Sequence, residues 1–336
     1  MVNFRFHIVS ITAVFLALGI GLVLGTTFLD DATIDGLKAQ LDGLEGDLDR
    51  AQARNDQQQA ELDALHDESA QLASQLGERL YAGLLAGDPV LVVSTRGVDQ
   101  ALVDGVLAAL VQADADVLGT WWLTDRLLLE DGSDVEDLSS ALPLDTDDAD
   151  RLGRSLAVQL ADVLHGTSDA GAPGPAPIPP GAPGAVEPAL LARLRQAGFV
   201  EYQLPDGVDG DVVRLPPSGT RIVIVDGPGA AVPPGKVVVP VLRELTADGP
   251  VPVVATSSTP RQQGDEGEPP ALVSLVRQDG TLQQRLSGVD HADRTAGRVA
   301  TVLATVDARP GSPALGQYGV GDGADRLLPP GPGGRR

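Results

Sequence analysis

The chain has 336 residues, a formal net charge of -23 and no cysteine; 43% of it is apolar but only 3% is aromatic. So acidic a surface excludes nucleic acid and anionic lipid headgroups as direct partners, because both would repel it. The lack of Cys rules out disulfides and thiolate metal sites, and agrees with an exported chain that uses neither.

No residue from Ile8 to Leu29 is charged, and the run IVSITAVFLALGIGLVLGTTFL is bracketed by Arg5 and His7 before it and by Asp30 and Asp31 after it. A helix of this length reaches about 33 Å, enough to cross a bilayer core of about 30 Å. A cleaved signal peptide is the rival reading, but it has a shorter apolar stretch and a small-x-small cleavage site. The pattern favours an uncleaved anchor over residues 1–31, its span marked by Ile8, Leu16, Leu24 and Leu29. Arg5 keeps the N-terminus cytoplasmic by the positive-inside bias, so a single-pass protein would hold everything from Asp30 onward outside the cell membrane. Gly21 and Gly25 form a G-x-x-x-G that lets two membrane helices approach closely.

A heptad register follows over residues 32–86. Its a positions are Ile34, Leu41, Leu48, Asn55, Leu62, Ser69 and Leu76, and its d positions are Leu37, Leu44, Ala51, Gln58, Leu65, Leu72 and Arg79. Sustained 3-4 alternation is the signature of a coiled-coil seam, and a polar a residue such as Asn55 fixes register and strand number. A stalk that joins two or more copies is the favoured reading. An amphipathic helix folded back on the globular part is the alternative, and Gly36, Gly43 and Gly46 weaken the first turns in either case.

Residues 87–328 read as an extracytoplasmic α/β domain. Gly87-Asp88-Pro89 breaks the helix, and Val90–Thr95 is an apolar run of strand length. Helical stripes are expected over 99–113, 147–164, 237–247, 272–277 and 294–306, and strands over 116–123, 221–225 and 251–256. Such alternation predicts a parallel sheet of the Rossmann or flavodoxin-like kind, covered on both faces. The uncharged Pro/Gly-rich stretch 170–186 is expected to be an extended loop within one sheet rather than an interdomain linker, and 329–336 a disordered tail.

Two short motifs could carry chemistry. Asp226-Gly-Pro-Gly229 follows a strong strand, where an open α/β sheet places its ligand crevice. Pro228 removes a donor that a phosphate cradle needs, so a turn leaving the sheet is the better reading. Asp290-His-Ala-Asp293 could be an acid/base or metal cluster, but a helix cap supplied by Asp290 or Asp293 suits it better. Copper(I) wants thiolate, thioether or imidazole ligands. Here the only Met is Met1, and His7, His66, His165 and His291 have no helical partner. No catalytic, cofactor or metal residue is assigned, and no enzyme is expected.

The segments Phe4–His7, Ala13–Gly19 and Gly21–Gly25 together resemble the start of the actinobacterial MctB family, the mycobacterial copper transport proteins. Gly288–Asp293, Ala296–Ala300 and Tyr318–Ala324 are similar to that family's C-terminal signature. The resemblance implies a role in copper homeostasis through efflux or limited accumulation, with a copper ion as cargo and a place in the cell envelope. It also implies a pore-forming outer-membrane channel, which fits poorly with one apolar helix and 3% aromatics. An anchored scaffold that binds an envelope partner is the second expectation.

Overall fold

A computed structural model describes the backbone of residues 4–165, 189–205, 219–258, 269–309 and 314–330. Within the first helix, side chains are described at 6–25, 43–44, 46–61 and 64. The expectations for 170–186 and for 331–336 lie outside the described residues. The chain divides into two compact units, Met1–Ser69 and Ala70–Arg336.

The uncharged apolar run and the heptad stretch as far as Leu80 form one unbroken helix, α1 (Phe4–Leu80), with no break at Asp30-Asp31. Within α1, Phe6–Gly25 has a mean hydropathy of 2.5 and none of it is buried. Helix α1 ends just before the expected breaker, in turns over 81–87 that place Gly83 and Gly87 at positive φ.

The second unit is built on a seven-stranded sheet of order β3-β2-β1-β4-β5-β6-β7. Strands β1 (Pro89–Thr95), β2 (Asp116–Leu123), β4 (Arg221–Asp226), β5 (Val253–Ser257), β6 (Ser287–Val289) and β7 (Gln317–Tyr318) are parallel, whereas β3 (Val200–Gln203) joins β2 antiparallel. The expected sheet is therefore present but not wholly parallel. β3 holds the edge through side chains: Trp122 Nε1 donates to Gln203 Oε1 at 3.0 Å, and the Tyr202 hydroxyl donates to the Leu118 carbonyl. A register shift against Val90/Leu91 falls in that part of β2. Gly119, at φ +147, leaves the room that the Tyr202 ring fills.

Expected strands and helices recur with small shifts at their ends. Helix α2 (Gln100–Gln112) is capped by Asp99, whose side chain accepts from the Ala101 amide at 3.0 Å. Helix α4 (Ala149–Leu164) is capped likewise by Asp148 from the Arg151 amide at 3.1 Å. Such caps satisfy N–H groups that the first helical turn leaves unpaired. Strand β5 begins two residues later than expected, after Pro252, which has no N–H to give the ladder. Three helices complete the expected set: α6 (Val238–Leu245), α7 (Leu272–Gln278) and α8 (Thr295–Asp307). Helices α3 (Gly132–Ala141) and α5 (Ala189–Gln196) add to the expected set.

Period-two alternation sends each strand's side chains to two cores. Leu91, Val93, Trp121, Ile222 and Ile224 pack with α3 to α7, while Val90, Val92, Trp122, Val223 and Val225 pack with α2 and α8. Burying a residue such as Leu152, Leu156 or Leu160 of α4 stabilises the fold by about 1.5–3 kcal/mol each. Continuous apolar strands buried on both faces are what a helix-covered sheet requires.

Candidate functional site

In a doubly wound sheet, ligands bind beyond the strand C-termini where the order reverses, which here is between β1 and β4. Backbone fills that crevice. The Ala231 amide donates to the Arg96 carbonyl at 2.6 Å, and Gly97 (φ +88) and Gly229 (φ +81) lie against each other. A Cβ on Gly97 would run into the Gly229 carbonyl oxygen, so both loops need glycine to close. At Gly227, an added Cβ would stand 2.9 Å from the Leu102 side chain at the start of α2. Among the described residues, Asp226-Gly-Pro-Gly229 is thus a turn closed against the loop after β1.

Asp226 itself is buried and faces α7. Its Oδ2 accepts from the Leu272 amide at 2.8 Å, while Ser257 Oγ accepts from the Val273 amide at 3.2 Å. The two residues cap α7 from neighbouring strands, since Ala271 has no side-chain acceptor of its own. Burial pushes the Asp226 carboxyl up to about 6, against hydrogen bonds from Leu272, Gly227 and Ser257 that favour the anion.

Asp290 departs from expectation. Helix α8 starts after Arg294, which makes no capping hydrogen bond of its own, and Asp290 spends its carboxylate elsewhere than on that helix. Asp290 stands at the end of β6 and is only 2% exposed. Its Oδ2 receives Arg277 Nη1 at 2.7 Å and the Gly321 amide at 2.9 Å. Its Oδ1 receives the Val320 amide at 3.0 Å and lies 2.6 Å from His291 Nδ1. Arg277 also donates to the Tyr318 and Asp322 carbonyls, at 2.8 and 3.2 Å. Gly319, at φ +124, allows this approach, because a Cβ there would strike the Asp290 carboxylate. Together these contacts clamp the segment Tyr318–Asp322 to the end of the sheet.

The chemistry of the clamp follows from its saturation. A carboxylate offers about four acceptor positions, and Asp290 has four partners. Burial would raise its pKa, but Arg277, the two amides and His291 outweigh burial and hold the carboxyl below its usual range. An acceptor so occupied has no lone pair left for a metal and no tendency to act as a general acid near neutrality. No group of three or more metal-binding side chains occurs among the described residues. The clamp is a structural device. It was missed in the sequence because its partners come from α7, β6 and the tail.

The remaining sequence-derived residues lie on α1. Ile8, Leu16 and Leu24 are exposed, and no described atom lies within 4 Å of a Cβ built on Gly21 or Gly25. Leu44, Leu48 and Asn55 are exposed as well. The backbone of Leu29, Ile34, Leu37, Leu41, Leu62, Leu65, Leu72 and Leu76 is helical, and their side chains lie outside the described set.

Comparison with known proteins places these features in a family. A Mycobacterium tuberculosis (strain H37Rv) protein named copper transporter MctB is 28% identical over 334 residues, covering 96% of this chain and 98% of its own. The Mycobacterium leprae protein of the same name is 32% identical over 339 residues, covering 98% of this chain and 100% of its own. The family model described as "Copper transport outer membrane protein, MctB" matches residues 1–329. With the N-terminal apolar helix, the sheet and the clamp at Tyr318–Asp322 all inside that match, the chain belongs to the MctB family.

Proposed function

We propose that this chain is a membrane protein of the cell envelope that limits copper accumulation, acting in efflux as a channel or as an accessory to one. The observation that carries this reading is likeness over nearly the whole length to proteins named copper transporters, together with one exposed apolar helix at the N-terminus. The cytoplasmic N-terminus and external α/β unit follow from Arg5 and the positive-inside bias. An accessory role is favoured over a barrel pore. Barrel strands run to about 9–11 residues and face lipid, whereas these strands have at most 8 and lie between helices. A single apolar helix conducts nothing without assembly, and Ser10, Thr12, Thr26 and Thr27 would give a thin polar lining.

The sealed crevice favours a second reading, an anchored scaffold that affects copper only through a partner. Deleting the gene and restoring it tests both. Under copper stress the deletion strain is expected to accumulate copper and grow poorly, and the full chain to reverse both. Copper content and growth equal to wild type would refute the transport reading and leave the scaffold.

A further inference from the structure

One patterned surface of α1 lies beyond its apolar span, and its described a and d residues, Leu44, Leu48, Ala51, Asn55 and Gln58, are exposed. From Ile34 to Ser69 there are ten carboxylates and three firm cations (Lys38, Arg50 and Arg54), and none of these occupies an a or d position. Leu44 and Leu48, at d and a, are 66% and 65% exposed.

We propose that this stretch pairs with a second copy of the chain as a parallel, in-register two-stranded coil, with Asn55 facing Asn55 of the partner subunit. The pairing rests on the reading of Phe6–Gly25 as a membrane anchor. Two copies inserted by the same span, in the same orientation, start their seams at the same height above one bilayer, so parallel and in-register pairing needs no further device. A slip by one heptad would set Asn55 against Leu48 or Leu62 and leave its amide without a partner in the seam. In register, the two amides hydrogen-bond each other, the arrangement by which an a-position Asn selects two parallel strands. The membrane surface is a poor alternative cover for the leucines, because ten carboxylates against three cations repel anionic headgroups. Gly21 and Gly25 lie on the same helix and present an open small-residue face that permits close approach within the bilayer.

The absence of native cysteine makes the test direct. Full-length chains carrying L44C or L48C on the seam, or A53C or A60C on the opposite face, are expressed in membranes and oxidised with diamide. Covalent dimers from L44C and L48C, with A53C and A60C staying monomeric, are expected. Adding L48D to L44C should abolish the dimer. Equal cross-linking on both faces, or none on the seam in chains that resist carbonate extraction, overturns the pairing while sparing the anchor. Chains that carbonate strips from the membrane overturn the anchor reading, and the pairing with it.

Discussion

Asp226 offers the sharpest test of the folded unit, because its carboxyl is buried with no cation beside it among the described residues. Its pKa stands at about 6 against an ordinary 3.8. At 1.36 kcal/mol per pH unit, that difference corresponds to about 3 kcal/mol. The sign follows from the raised value. Protonated Asp226 contributes stability that is fully present below pH 3.8, fades as pH rises through about 6, and is absent above it. D226N removes the titration and keeps an oxygen for the Leu272 amide, so it adds an offset that does not vary with pH. Trp121 and Trp122, the only tryptophans, are both buried in the α/β unit, and their fluorescence reports its unfolding independently of α1. Urea midpoints are measured for the full chain and for D226N in detergent, from about pH 3.5 to 7.5. Wild-type stability minus variant stability should fall by about 3 kcal/mol between about pH 4 and 6.5 and be level on either side. A difference that stays flat across the range would refute the claim that Asp226 is buried as the structure has it.

Three further substitutions probe the remaining features. R277A leaves Asp290 buried without its cation and should cost about 3–5 kcal/mol by the same fluorescence assay; a loss within 0.5 kcal/mol, about that of an ordinary surface change, would mean that the clamp is not closed. G97A forces a Cβ onto the Gly229 carbonyl at a backbone angle that favours glycine, and is expected to lower stability by about 1–3 kcal/mol. L16R places a cation near the middle of the apolar span at about 2.5–3.5 kcal/mol on the insertion scale. Carbonate extraction should find more of that variant outside the membrane than wild type, and an unchanged distribution would argue against insertion.

Much of this architecture was legible from local pattern. The N-terminal apolar helix announces itself by an uncharged run, β1, β2, β4 and β5 by continuous apolar residues, and α2 and α4 by a stripe with an Asp just before it. What escaped has a common cause. Strand β6 is Ser-Gly-Val and β7 Gln-Tyr, too short for periodicity, and both are held by pairing with a neighbour already in place. Strand β3 runs antiparallel because Trp122 and Tyr202 secure it to β2, contacts between residues about 80 positions apart that no window detects. Asp290 was misread for the same reason. A carboxylate shortly before a helix resembles a cap, but Arg277 and the tail amides compete for it and win through charge and burial.

Among the described residues, the crevice between β1 and β4 and the loops beyond β6, where a doubly wound unit could hold a ligand, are both occupied by the protein's own groups. At the first, Gly97 and Gly229 pack backbone to backbone; at the second, Asp290 and Arg277 are engaged with the tail. Copper(I) is soft and prefers sulfur or imidazole, while this chain has no Cys, a single Met at its start and four scattered His. Under the proposed function, a role in copper efflux would draw on what the described residues of α1 expose: an apolar helix of bilayer length and, beyond it, Leu44, Leu48 and Asn55. Both surfaces belong to α1 and run in the same direction, so assembly in the membrane engages them together. Under the proposed function, a variant that keeps the sheet intact but breaks the seam, such as L48D, should fail to restore copper tolerance. The charge reversal K236E, at an exposed position of the α/β unit, should restore it.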